Sequence, residues 1–140
     1  MNEHVKHIIR SLLNNAETLT QVEIGAIVSN FPFEFPKSYL EIIEFINGQE
    51  GEIGTDSWLC LFPLEELNEV NCDYQLLMNQ IPEYFLIGKD AADTGYAFHK
   101  FLGTFHSFGL MSDFETDSID FMGHDFYDFL EALHNYRFKS

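Results

Sequence analysis

Phe35-Pro36-Lys37-Ser38-Tyr39-Leu40-Glu41-Ile42-Ile43-Glu44-Phe45-Ile46-Asn47-Gly48 reads as a short helix with legible ends and an almost unbroken apolar body. Pro36 suits a first helical position, where its missing N–H leaves no bond unmade, and Asn47-Gly48 suits the left-handed residue that stops a helix. Ser38, three residues before Glu41, offers a capping box as an alternative start two residues later. From either start Tyr39, Ile42, Ile43 and Ile46 share one stripe, and Leu40 and Phe45 widen it, so neighbours are expected on more than one face. Such a helix belongs to a core.

Outward from it, Gly48-Gln49-Glu50-Gly51-Glu52-Ile53-Gly54 has a glycine at every third position. Phosphate-cradling loops lie between a strand and a helix N-terminus, where backbone N–H groups and the helix dipole attract anions. Here the glycines follow a helix C-terminus and come with Glu50, Glu52 and Asp56 and no base, so the stretch reads as a glycine-rich connection whose residues need positive φ.

A chain of 140 residues is one domain by length, able to bury about two thirds of its unfolded surface without staples. Cys60 and Cys72 sit in apolar or helical-looking stretches, and Glu3, Lys6 and Arg10 interrupt the apolar residues near the start, so a cytoplasmic chain with reduced thiols and no signal peptide is expected. No apolar run approaches the roughly 20 residues that cross a bilayer.

Charge is the second strong signal. Seven Lys and Arg against 23 Asp and Glu give a formal charge of −16. From Ser38 to Gly88, and again from Phe101 to Tyr136, there is no Lys or Arg at all. Such a chain repels nucleic acid and anionic membranes, and it attracts a basic partner. The plainer reading is that the acidity keeps the protein dissolved.

Before the core helix, Val5, Ile8, Ile9, Leu12 and Leu13 mark a first helix ended by Asn14-Asn15, and Thr20-Gln21-Val22-Glu23 is a capping box opening a second over Ile24, Ile27, Val28 and Phe31. Phe31-Pro32-Phe33-Glu34-Phe35-Pro36 is forced to extend, with its aromatics over the core. After it, Trp58-Leu59-Cys60-Leu61-Phe62 is the first convincing strand, apolar throughout and so expected to be covered on both faces. Leu64–Asn71 and Asp73–Gln80 read as helices. Strands are expected at Tyr84–Ile87, Tyr96–Phe101, Thr104–Leu110 and Ser118–Met122, and a final helix runs from His124 to Tyr136. Short connections favour antiparallel neighbours. The fold class is therefore α+β: N-terminal helices, a central, mainly antiparallel curved sheet of about five or six strands, and a C-terminal helix packing back on it.

Chemistry finds little support. There is no nucleophile elbow, no HExxH and no paired cysteine spacing. His4 and His7 are one helical turn apart, but no acid or cysteine close in sequence completes a ligand set, so they read as solvated polar-face residues. Asp113, Glu115, Asp117 and Asp120 lack the turn glycine and closing Glu of a calcium loop. His99 and His106 flank Gly103 and could face each other across a hairpin, but they are better read as sheet histidines with satisfied hydrogen bonds. No catalytic residue, metal or cofactor is assigned.

Several of these segments carry a resemblance. Phe35-Pro36-x-x-Tyr39, Phe45-Ile46-Asn47-Gly48, the hydrophobic strand with Pro63-Leu64-x-x-Leu67, Ile87-Gly88, and Asp125-Phe126-x-x-Phe129-Leu130 resemble, in order, the signatures of the SUKH superfamily. That group includes the yeast cell-wall assembly regulator and, in bacteria, immunity proteins of polymorphic toxin systems. The match runs from about Glu23 to Leu133, leaving residues 1–22 as a helical extension of a single domain spanning 1–140. Its motif residues Pro36, Tyr39, Asn47, Gly48, Phe126, Phe129 and Leu130 build the fold and imply no active site.

What the resemblance implies is a non-catalytic, cytoplasmic antidote that binds and neutralises a cognate toxin domain. The charge favours a basic, nuclease-type toxin, with no nucleic acid or membrane partner. Glu50, Glu52, Asp56, Asp90, Asp93, Asp113, Glu115 and Asp117, all in expected loops at strand ends, are the candidate contacts, chosen on charge and position alone. The alternative, suggested by the yeast relative, is an intracellular scaffold or regulatory interaction module. Neither the toxin's activity nor the oligomeric state is legible.

Overall fold

The computed structural model describes residues 1–13 and 18–138. Helices α1 (Glu3–Ile8), α2 (Gln21–Val28) and α3 (Lys37–Ile46) come first, followed by strands β1 (Glu50–Ile53) and β2 (Ser57–Leu61). A 3-10 turn (Leu64–Glu66), α4 (Leu67–Asp73) and α5 (Gln75–Met78) lead to β3 (Tyr84–Lys89), β4 (Thr94–His99), β5 (Phe105–Gly109) and β6 (Asp120–Gly123), and α6 (Phe126–Asn135) follows. The strands form one antiparallel sheet in chain order. The class is α+β: N-terminal helices, a sheet curled into a half-barrel, and a C-terminal helix packed on it.

Both faces of the sheet's centre are covered, which is why β3 and β4 are buried at four consecutive positions each. On the concave face, Tyr39, Phe85, Phe98, Phe105, Phe126 and Phe129 join the isoleucines of α3 in the main core. On the convex face, Leu77, Met78 and Ile81 cover Leu86, Ala97 and Phe108. The extended segment before α3 does lay its aromatics on the core: Phe33 meets Phe85 at 5.0 Å and Phe35 meets Phe98 at 5.2 Å between ring centroids. The edge-on Phe33–Phe85 pair adds about 0.5–1.5 kcal/mol beyond area burial.

The core helix behaves as read along its stripe, with Tyr39, Ile42, Ile43 and Ile46 buried and Gly48 at φ +70°. It departs on two points. Phe45 is 40% exposed, so one face is covered rather than several. Ser38 forms no capping box either; its hydroxyl accepts the Phe126 N–H at 2.9 Å and so fixes the start of α6. Glu41 is likewise drawn to α6, accepting from the Tyr127 hydroxyl, and that bond holds the phenol up at about 12. Asn47 caps the next element, accepting from Leu64 N–H at 2.7 Å. The capping box at Thr20 and Glu23 is present in full.

Three further expectations are corrected. The glycine-rich stretch is mostly an edge strand: β1 pairs Glu50–Ile53 with Ser57–Cys60, and positive φ occurs at Gly48 and Gly54 but not at Gly51. Alternation of Gly and Glu with a single Ile hid it, because β1 is buried only at Gly51 and Ile53. β2 is covered on one face only, since Leu59 and Leu61 are buried while Trp58 is exposed beside that edge. The first helix stops at Ile8 and a turn carries Ile9 and Leu12 inward, leaving Leu13 exposed; its expected Asn14-Asn15 end lies outside the described residues.

Candidate binding surface

An antiparallel meander sends alternate connections to opposite ends of its sheet. The register therefore puts the β1–β2 turn (residues 54–56), the β3–β4 turn (90–93) and the β5–β6 loop (110–119) at one end, with Gly95 opposite Lys89 on one side and Phe108 on the other. Asp56, Asp90, Asp93, Asp113, Glu115 and Asp117 sit in these three connections, and Glu50 and Glu52 lie on the adjoining edge strand. The opposite end carries Lys100 in its β4–β5 turn, with Nζ 5.1 Å from the centroid of the Phe33 ring.

Within this acidic end the eight candidates divide. Glu52, Asp56 and Asp90 line one cavity of about 800 Å³, walled also by Trp58, Tyr96, Ser107, Asp120, Met122 and the last turn of α6. Glu50 does not line it and accepts from the Trp58 indole N–H at 3.0 Å. Asp93 and Asp117 line a separate shallow pocket with Met111. Asp113 and Asp117 spend carboxylate oxygens on their own loop, accepting from the N–H groups of Glu115 and Asp113. Glu115 projects from that loop and lines neither cavity.

The end of α6 walls the large cavity on one side. Phe126 and Phe129 fill the half near Phe105, and Ala132, Leu133 and Tyr136 line the open half. Tyr96, Ser107 and Asp120 form a row across three strands there, each opposite the next in register. Opposed residues share a face. Burial first, and Asp90 second, push the Tyr96 phenol well above its ordinary range. Asp90 accepts from Ala92 and Thr94 N–H, and Asp56 from Phe138 N–H, so turn and tail are tied to the rim. Sequence reasoning missed Tyr96, Ser107 and Trp58 as a set, and read Asp120 only against a calcium loop. Their common face depends on strand register, which alternation inside each strand does not supply.

The histidines split into two groups. His99 accepts from the N–H groups of Phe101 and Leu102, and His106 bonds the Thr104 hydroxyl at 2.7 Å, so both are satisfied in place around Tyr84. His4 is exposed, in keeping with the solvated reading, but it pairs with Glu131 of α6, and His134 lies 6.5 Å from it and 5.9 Å from His7 between ring centroids. That acid is distant in sequence and near only because α1 packs on α6. Among the described residues no group of three or more His, Cys, Asp or Glu is arranged to hold a metal ion. Cys60 and Cys72 are both free, and burial followed by Glu50 pushes the Cys60 thiol up.

No protein-family model matches the chain, and no curated protein matches it. Among the described residues no helix is long and apolar enough to cross a membrane.

Proposed function

We propose that this chain is a non-catalytic immunity protein of the cytoplasm, which binds a cognate, basic toxin domain at the acidic end of its sheet. The observation that carries the reading is the gathering of three acidic connections at one end of a rigid meander, in a chain of formal charge −16. The order of motifs from Phe35 to Leu130 supports it from the sequence side. A basic cleft meeting such a surface associates by electrostatic steering, toward about 10⁸ M⁻¹s⁻¹ at low salt. A complex of ordinary size buries about 1,600 Å² in total, with aromatic anchors supplying affinity and carboxylates supplying orientation.

The test is co-expression with the toxin domain from the neighbouring reading frame. Rescue of growth and a complex whose affinity falls as salt rises are expected. A variant combining Asp90→Lys, Asp93→Lys, Asp113→Lys and Glu115→Lys loses rescue and flattens the salt dependence. If no neighbouring toxin is neutralised while other cell proteins co-purify stoichiometrically, a scaffold replaces the antidote.

A further inference from the structure

We propose that the cavity between β1, β4–β6 and the end of α6 is a receptor for one arginine side chain presented by a protein partner. The proposal rests on the immunity reading for the identity of that partner, and on the cavity alone for its chemistry.

Four carboxylates line the cavity, from Glu52, Asp56, Asp90 and Asp120, and among the described residues no basic side chain lines it. Lys89 is nearby, but its Nζ donates to the Asp90 carbonyl at 3.0 Å and does not line the space. Acidity alone describes much of this molecule, and what sets the cavity apart is its floor. Tyr96 and Ser107 are only 5% and 8% exposed, and neither hydroxyl has a hydrogen-bond partner among the described residues. Among the described residues, the side-chain polar atoms both fully enclosed and unpaired are Tyr39 Oη and His134 Nδ1, so the hydroxyls of Tyr96 and Ser107 open onto the cavity they line. The floor therefore presents unused acceptors in register with Asp120, below a rim of acids.

The walls select among cations. Trp58, Tyr96 and Tyr136 are aromatic residues of the lining, and the Trp58 indole N–H is already engaged by Glu50. A guanidinium stacks on such rings and donates in a planar fork to two acceptors at once, whereas an ammonium is a compact, strongly hydrated point charge. About 800 Å³ is ample for a side chain with the backbone that delivers it. A divalent ion is a poorer fit, since these acids are not clustered as ligands.

Trp58 is the only tryptophan, so its fluorescence reports the site directly. The probe is N-acetyl-arginine-methylamide, titrated with fluorescence and amide NMR, beside the lysine and the uncharged citrulline analogues and free arginine. A saturable signal centred on Trp58, Tyr96, Ser107 and Asp120 is expected, with lysine weaker and citrulline silent. The Asp90→Asn and Asp120→Asn pair, which keeps the acceptor oxygen that Asp90 uses in its turn, weakens the blocked arginine by roughly tenfold. Tyr96→Phe with Ser107→Ala weakens it too, whereas Asp113→Asn with Glu115→Gln and Asp117→Asn changes it less than about twofold, as a screened distant charge would. Shifts spread over every acidic loop, equal damage from the distant triple, binding of citrulline, or no saturable response each overturns the proposal. Tighter binding of free arginine than of the blocked residue replaces the protein-borne guest with a free amino acid. If the Asp90→Asn, Asp120→Asn chain still binds the cognate toxin normally, the cavity is overturned and the immunity reading stands; if arginine binds but no toxin is neutralised, the reverse holds.

Discussion

Gly54 and His134 meet backbone to backbone: a methyl group on Gly54 would be driven into the His134 carbonyl oxygen. The β1–β2 turn is thereby pressed against the end of α6, and the Ser57 hydroxyl donates to the Leu133 carbonyl one residue earlier. Both contacts terminate the helix at the mouth of the cavity.

Gly54→Ala is expected to destabilise the fold far more than Gly103→Ala, although both glycines have positive φ, +66° and +70°. At Gly103 nothing stands within 4 Å of the added carbon, so only the left-handed strain of about 1–2 kcal/mol applies. At Gly54 the clash is with backbone, which cannot rotate away, and the loss exceeds that at Gly103 by at least about 1 kcal/mol. Urea denaturation of the two variants decides; equal losses would show that the turn yields.

Ser38→Ala is expected to remove about 0.5–2 kcal/mol, the range for losing a helix cap. Asp125 accepts from Asp128 N–H at the same helix start, so Asp125→Ala costs a similar amount and the double variant is non-additive. Additive losses would mean that the two caps act on α6 independently.

Tyr39→Phe is expected to be neutral or mildly stabilising. Its ring is fully buried and its hydroxyl has no partner among the described residues. Burial, and secondarily Glu65, push the phenol far above its ordinary range. Deleting an unpaired buried hydroxyl relieves desolvation without opening a sizeable cavity. A loss above about 1 kcal/mol in thermal or urea unfolding would reveal a water partner for that hydroxyl.

His106 makes the fold sensitive to acid. Burial, then the neighbouring His99, hold its pKa below the ordinary 6.5. The unfolded chain therefore takes up the proton more readily, so this group's contribution to stability falls as pH drops through 6.5 and levels off once the native imidazole is protonated as well. His106→Gln is expected to lose less stability between about pH 7.5 and about pH 5.5 than the unsubstituted protein, with carboxylate effects common to both. Matching urea midpoints across that range would remove His106 from the account.

How much of this was legible can be judged from particular residues. Capped or strongly periodic elements were readable: the Thr20 box, the Tyr39–Ile46 stripe and the Phe126–Leu133 helix depend on local spacing, which the sequence displays directly. β1 was hidden because an edge strand of Gly and Glu has no apolar alternation to show. Ser38 was misread because a serine three residues before a glutamate is equally suited to a local cap and to a distant N–H, and only tertiary packing decides. Asp56, Asp90, Asp93, Asp113, Glu115 and Asp117 were named correctly as lying in connections between strands, whereas Glu50 and Glu52 belong to β1. Their division into a lined cavity and a self-bonded loop was not visible, because it depends on which strands face each other.

One consequence of α6 walling that cavity concerns timing during translation. The sheet is a meander of neighbours and can pair as it emerges, but the pocket has no wall on one side until the final helix has left the ribosome and docked. A nascent chain stalled before Phe126 would display the carboxylates without the shape that selects among guests. Discrimination arrives later than charge.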